Sequence, residues 1–553
     1  MNQIENEVLQ RSTAFMDALY DSEMGLIRAD WVNDACGHDV RGSSHYAVGL
    51  LARGTKEDIS RGEKVIRTIL ANRMLAPGEI YHATFKRDVT EPLPPAGVYP
   101  WRDVSPDCRA LGDRIIDRTA NSFFAALEKE GMPASEIVRM ETLYWKALCK
   151  NFPVTWKTYD PNWREFIASA FAVILALFEE KLSAELIEEM EDAMKLCVSA
   201  SIDRQKAGLS PMNTNIELMH IFICDYYGTR FQMAEVQQHA QAVLADFYRN
   251  YQEFHAIAEY NSPTYCGVDL YALALLRAFG STEEVRKQGT ALEEGLWEDI
   301  AKFYNPSLDQ ISGPFSRCYE MDLNIHTSMP TLLYLALGSE HREYPVDNCE
   351  TSYNPILALS GIRIPPSIVP SLLAHTEDRQ VCTRFRELNE RETGDSNHSV
   401  CTATAWIASG IMLGALSGSR NLSGQLHPAT VYWAHEGNLM SLRIRRRYPG
   451  HDSMDAIRTV YFDAKVQKQT MEIDVHIDTE RNVEIYFEII GEGIDPNHLS
   501  ASKWRLPGLQ VDLSGNMPAP QIIPTTDGAE VIFSAQPACG ENSMSFRLEC
   551  EVR

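Results

Sequence analysis

The 553-residue chain has no run of about eighteen apolar residues, so no segment is expected to cross a membrane as a helix. Its opening, Met-Asn-Gln-Ile-Glu-Asn-Glu-Val-Leu-Gln-Arg, lacks the basic start and apolar core of a secretion signal, and a cytoplasmic location is expected. Positive charge is scarce: 51 Lys and Arg face 76 Asp and Glu, a formal net charge of -25. Such a field repels nucleic acid and anionic membrane surfaces, and neither is an expected partner. The twelve cysteines form no CxxC pair, a usage that fits reduced thiols better than disulfides or a zinc site. A phosphate loop, a dinucleotide fingerprint, HExxH and GxSxG are all missing, as are the acid-rich metal motifs of ionising terpene cyclases. No cofactor and no metal are expected.

What is present is helix, then strand. With 44% hydrophobic residues and no long low-complexity tract, the chain is long enough for two or more sizeable cores. Apolar residues recur at helical spacing in pairs over 44–53 and 56–74, 108–129 and 135–150, 163–182 and 184–202. The pattern continues over 214–227 and 232–251, 265–279 and 283–303, and ends with 321–337. Several first helices are apolar along their length, as in Phe166-Ile-Ala-Ser-Ala-Phe-Ala-Val-Ile-Leu-Ala-Leu-Phe, while their partners are amphipathic. Pairs spaced by roughly 50 residues predict an array of buried inner and solvated outer helices. About six pairs close a toroid, with an open solenoid as the competing arrangement. Past residue 378, alternating runs such as Met471-Glu-Ile-Asp-Val-His-Ile predict an antiparallel β-sandwich. The expected fold is therefore α+β: an (α/α)6-type toroid over 1–340, a linker over 341–377 and a β-sandwich over 378–553.

Five helix mouths carry polar residues that suit chemistry. The central one, within 253–277, places Tyr260, Asn261, Tyr265 and Asp269 where Asn261-Ser262-Pro263 breaks the chain before an apolar helix. Phenols, an amide and a carboxylate at a helix N-terminus move protons and hold anions; a capped helix with packed tyrosines is the plainer reading. Around 37–46 stand His38, Asp39, Arg41, His45 and Tyr46, with His45 opening an inner helix. Trp163 and Arg164 follow the Asp160-Pro161 break; the indole is a stacking platform or a plug. A first-turn Arg opposes the helix dipole and is expected to have an acidic partner. Asn215, Glu217 and His220 lie within two turns of the next inner helix, where His220 reads equally as a core histidine. The last mouth supplies Arg317, Tyr319, Asp322 and His326, in which Arg317 and Asp322 also read as loop braces. Cys36, Cys266 and Cys318 fall in the same mouths, with buried thiols the plainer reading. A guanidinium next to a phenol favours phenolate, so Arg317 is expected to lower the pKa of a neighbouring tyrosine.

This layout, with Asn215, Tyr265 and a His/Arg/Tyr set at inner-helix mouths ahead of a β-sandwich, resembles polysaccharide lyases of the heparinase II/III and alginate-lyase kind. The resemblance implies a uronate oligosaccharide substrate and a metal-independent lyase reaction. It makes Asn215 the neutraliser of the substrate carboxylate and Tyr265 or Tyr319 the acid/base, with His45, His220 or His326 as a second base. Tyr260, Asn261, Arg317, Asp322, Trp163 and Arg164 complete the expected substrate-binding set. The chain departs from the family in showing no alignable Asn-His pairing and no signal peptide. An intracellular isomerase, dehydratase or cyclase of a small natural product fits the same cavity and is favoured by the acidic charge. A non-catalytic carbohydrate-binding scaffold is the third reading.

Overall fold

A computed structural model describes residues 1–31, 34–96, 106–153, 158–207, 213–387, 399–420, 424–454, 457, 460–537 and 542–553. Among these residues fourteen α-helices are found, beginning with α1 (Gln3–Leu19), α2 (Val40–Arg53), α3 (Lys56–Ala71), α4 (Pro106–Lys129) and α5 (Ala134–Asn151). Next come α6 (Trp163–Leu177), α7 (Ala184–Ala207), α8 (Thr214–Arg230), α9 (Ala234–Phe254), α10 (Cys266–Phe279) and α11 (Glu283–Phe303). The last three are α12 (Ser328–Leu337), α13 (Asn354–Ser360) and α14 (Val369–Leu373). Local chemistry sets several ends. Asn2 and Glu5 form a capping box on α1, Thr55 and Asp58 one on α3, and Gly54 closes α2 with φ of 74°.

The apolar helices are the inner ones. Helix α2 packs on α6, α6 on α8, α8 on α10, and α10 on α12 and α13, while α13 returns to α2. Amphipathic α3, α9 and α11 back α2, α8 and α10, and α7 lies against both α6 and α8. Hairpin α4–α5 stands outside this succession, because α2 meets α6 directly. It forms its own small cluster of Ala120, Phe124 and Ile137. The segment expected to be a linker carries α13 and α14, and Tyr353, Ile356 and Leu357 are buried in the main core.

The strands are short and antiparallel. A small N-terminal sheet holds β1 (Tyr20–Asp21), β2 (Leu26–Trp31) and β3 (Asp34–Asp39), and β4 (Tyr304–Asn305) pairs with β5 (Gln310–Ile311). Past α14 come β6 (Arg379–Arg386), β7 (Val400–Ala408), β8 (Ile411–Ser417), β9 (Ala429–His435) and β10 (Asn438–Arg447). They are followed by β11 (Val460–Gln467), β12 (Thr470–Ile477), β13 (Val483–Ile490) and β14 (Lys503–Leu506). The chain ends with β15 (Leu509–Ser514), β16 (Gln521–Thr525), β17 (Gly528–Ala535) and β18 (Ser543–Val552). One sheet has the order β16-β17-β13-β10-β9-β8-β7-β6 and the other β11-β12-β18-β15-β14. Their facing side chains share one apolar cluster. Phe487 meets Trp504 and Phe546 across the gap, with centroids 5.2 and 5.3 Å apart.

The larger sheet is buried on its other face as well. Tyr260 stacks on Phe385 of β6 at 4.3 Å, and Cys401, Ala403, Ile407 and Tyr432 belong to the same core as the helices. This explains why β8, Ile-Met-Leu-Gly-Ala-Leu-Ser, reads as a continuous apolar run and not as an alternation. Helices and larger sheet thus meet along a shared core beside the mouth of α10.

Candidate functional site

The stretch before α10 is tied to the loop before α12 by three polar anchors. Asn261 sits at φ 49° and its amide donates to the carbonyls of Ser312 (2.7 Å) and Pro314 (2.9 Å). Ser262 Oγ accepts from the Tyr265 amide at 3.0 Å and donates to the Arg317 carbonyl. Thr264 Oγ1 accepts from the Tyr319 amide at 3.1 Å. These bonds bring the rings of Tyr265 and Tyr319 to 6.1 Å, with the Arg317 guanidinium 4.1 Å above the Tyr265 ring.

Arg317 has a second partner. Its Nη1 donates to Glu259 Oε1 at 2.5 Å, and the other oxygen of Glu259 takes the Asn215 side-chain amide at 2.7 Å. Glu259 is thus a carboxylate held between the amide and the guanidinium that suit a substrate carboxylate. Both charged partners are nearly buried. The expected lowering of the phenol does not occur. Burial holds the Tyr265 pKa well above 10.0, and the proximity of Arg317 offsets only part of that. Tyr265 is therefore a neutral phenol near pH 7, and its ready role is that of a proton donor. Asp269, one turn into α10, is fully buried, and neither of its oxygens has a hydrogen-bond partner among the described residues. Burial first, and the Glu259 charge second, keep its carboxyl protonated well above the ordinary range.

A second polar chain borders the tyrosines. Glu350 Oε1 lies 2.9 Å from His326 Nδ1, and His326 Nε2 lies 3.0 Å from Thr264 Oγ1. Burial opposes charge on His326, but Glu350 outweighs it and raises the pKa above 6.5. The other oxygen of Glu350 takes the Ser328 hydroxyl at 2.9 Å. The larger sheet closes this end: Tyr265 donates to Gln425 Oε1 at 3.3 Å, and His427 Nε2 lies 2.9 Å from the Cys318 carbonyl. Arg443 Nη1 reaches the Tyr319 carbonyl at 3.4 Å.

The other expected site residues do not join this cluster. His45 is fully buried between the Arg41 carbonyl (3.1 Å) and the Tyr271 hydroxyl (3.0 Å), and burial takes its pKa down to about 3. His220 contacts Ser201 and His239 on the outer side of α8, and burial likewise takes it down to about 3. Trp163 is a plug: its indole donates to Asp160 at 3.1 Å under the Arg41 guanidinium at 5.2 Å. Arg164 is held chiefly by the carbonyls of His82, Ala83 and Ala200, and its acidic partner is Glu165, a buried ion pair at 3.9 Å. Tyr260 braces the helix–sheet contact through Thr383 at 2.6 Å. Asp322 accepts from Gln310 at 2.7 Å and caps its own turn at Asn324. Cys266 and Cys318 are buried, with thiols raised by burial, and the Cys36 side chain lies outside the described residues.

Glu259, Glu350, Thr264 and Gln425 were not singled out from sequence. Glu259 adjoins Tyr260 in the central stretch, and its isolation in Ala-Ile-Ala-Glu-Tyr-Asn, one charge after an apolar run, is the signal by which it could have been found. Glu350 and Gln425 lie in loops without periodicity, and only the fold brings them in. A shallow hollow of about 500 Å³ opens elsewhere, on the outer face of α3 between Ser60, Glu63, Lys64 and Arg67. None of the residues above lines it.

The chain is thus a helical-and-antiparallel-sheet protein with a buried acid–base cluster at the mouths of α8, α10 and α12. Residues 6–105 and 148–356, more than half of the chain, match the family described as "Domain of unknown function (DUF8769)", and the chain belongs to that family. The gap between the two matched stretches, 106–147, holds α4 and most of α5, and residues 357–553 lie beyond the match. No curated protein matches in sequence. Solved structures similar to it include a heparinase III (9% identity, TM-score 0.33, covering 93% of this chain and 77% of that chain). Another is a Streptomyces coelicolor chondroitin AC lyase in complex with chondroitin sulphate (7%, TM-score 0.33, covering 99% and 96%). A third is Clostridium thermocellum endoglucanase CelQ complexed with cellobiose and cellotriose (10%, TM-score 0.29, covering 99% and 92%). At these values the likeness fixes neither fold nor activity. Among the described residues, no helix is long and apolar enough to cross a membrane.

Proposed function

We propose that the chain is an (α/α)6-type toroid over 1–340, with α13 of the segment 341–377 packed into its ring, followed by a β-sandwich over 378–553. In this reading the ring mouth carries out lyase-type acid–base chemistry on a uronate-bearing carbohydrate. The observation that carries it is the socket formed by Asn215 and Arg317, filled by the Glu259 carboxylate beside the Tyr265 ring. A substrate carboxylate that displaces Glu259 gains the same bidentate donors. Its charge is then neutralised, which acidifies the adjacent carbon-bound proton. Tyr265, held as a neutral phenol, donates to the leaving oxygen. Tyr319, its ring 6.1 Å away, first gives its hydroxyl proton to solvent and as the phenolate takes the carbon-bound proton, and His326, backed by Glu350, supplies positive charge at the same mouth. The chemistry is that of side chains.

A second reading, an isomerase, dehydratase or cyclase of a small acid, draws support from one feature. The donors of the socket are nearly buried, which suits a small substrate better than a polymer. The test is a panel of uronate oligosaccharides followed by the ultraviolet absorbance of unsaturated products. Turnover supports the lyase. Silence, with turnover of small hydroxy acids instead, supports the second reading, and binding without turnover of either supports a scaffold.

A further inference from the structure

On the side of α8 away from this socket, three donor atoms converge without a role in the chemistry above. His220 and Cys224 stand four residues apart on α8, and His239 projects from α9, its antiparallel partner. Their ligand atoms all lie within 4.8 Å of one another. The two Nε2 atoms are 2.9 Å apart, and Cys224 Sγ is 3.9 Å from His220 Nε2.

The hydrogen-bond network fixes the tautomer of His220. Ser201 Oγ lies 2.6 Å from Glu165 Oε1, and a carboxylate paired with Arg204 only accepts, so the serine proton goes to Glu165. Ser201 must then accept from His220 Nδ1–H at 2.8 Å. That leaves a lone pair on His220 Nε2, aimed at His239 Nε2. A carboxylate–hydroxyl–imidazole relay of this kind is the outer support that metal-bound histidines use.

We propose that His220, Cys224 and His239 form a binding site for a zinc-class divalent ion that clamps α8 to α9. In a tetrahedral site with Zn–N of about 2.0–2.1 Å the two nitrogens sit about 3.3 Å apart, and a nitrogen and a thiolate sulfur about 3.6 Å. Two of the three separations need changes of only about 0.3–0.4 Å to reach these values, and the third, Cys224 Sγ to His239, lies within 4.8 Å. On binding, the Cys224 thiol loses its proton to solvent and the thiolate takes its place on the ion. The fourth position falls to water. His220 and Cys224 are fully buried, so they are pre-placed, and half-buried His239 is on the entry side.

The test uses the full chain, stripped with a chelator and dialysed, then titrated with Zn(II) or Co(II) alone. The expected result is one ion per chain, a rise in Tm, and a thiolate-to-cobalt charge-transfer band that disappears in Cys224→Ser. Ser201→Ala, which removes only the outer support, should weaken Zn(II) binding by about 10–100-fold. His239→Ala, on the outer helix, keeps the test decisive if His220→Ala does not fold. Failure to bind Zn(II), or stoichiometric binding undiminished in His239→Ala, or a cobalt band retained in Cys224→Ser, overturns the proposal.

Discussion

At the scale of single residues, the mouth is governed by burial more than by charge proximity. Arg317 lies on the Tyr265 ring, yet the phenol stays protonated because desolvation costs the phenolate more than the guanidinium returns. Tyr319→Phe should therefore cost about 10²–10⁴-fold in turnover with Tm near that of the parent, measured by initial rates and thermal melts. Arg317 makes the opposite forecast for stability. Truncating one partner of a buried ion pair leaves the other uncompensated, so Arg317→Ala should lose about 3–5 kcal/mol in denaturant unfolding. Glu259→Gln in the same background should recover much of that loss, because no unpaired charge is left. An equal loss in both variants would mean that the pair is held by packing and not by charge.

Elements were legible where one residue type dominated a face. Helix α6, apolar along its length, and the alternation of β12 both follow from pattern alone. Helix α1 did not, because its buried face includes Ser12 and Thr13, which turn their hydroxyls back to the main chain at 2.7 Å and hide polar residues in the core. The segment 349–373 was read as linker since its proline and asparagine content masks α13 and α14, which are only seven and five residues long. Close helix approach was also invisible. A Cβ on Gly267 of α10 would come within 2.5 Å of Ser328 Oγ and 2.9 Å of the Met329 amide. Gly267→Ala should cost about 1–3 kcal/mol by separating α10 from α12, and should lower turnover too, since Ser328 positions Glu350. Hairpin α4–α5 docks on the sheets through buried Arg481, which pairs with Glu128 at 3.2 Å and Glu141 at 3.0 Å. Arg481→Ala should free the hairpin, read as faster proteolysis within 106–151 at little change in the far-UV spectrum.

The pH response of the whole molecule is set by buried groups of opposite sign. His45 and His220 stay neutral in the fold down to about pH 3, while in the unfolded chain they take up protons near pH 6.5. As pH falls through that window the unfolded state binds more protons, so stability drops by about 1.4 kcal/mol per unit for each histidine. Glu217 and Asp39 act the other way. Burial raises them to about 7 and about 6, so the folded chain binds the extra proton and stability rises as pH falls from those values toward about 4. His45→Gln should flatten the acid limb, and Glu217→Gln should raise Tm more at pH 8 than at pH 5; thermal melts across pH separate the two. The shared core of helices and larger sheet has its own consequence. Cutting the chain at residue 377 bares Tyr260 and Phe315, and the helical part alone should elute as aggregate on size exclusion.

The measurement that bears most directly on the account is turnover and melting of Tyr265→Phe on one preparation. It should be made on whichever uronate oligosaccharide the parent chain converts to an unsaturated product. The account predicts a loss of about 10²–10⁴-fold in kcat with Tm near that of the parent, because only the hydroxyl, with its long bond to Gln425 and its contact to Tyr319, is removed. A kcat near the parent value would contradict it: the proton would then come from elsewhere, and the socket at Arg317 and Asn215 would be a brace for the helix mouth.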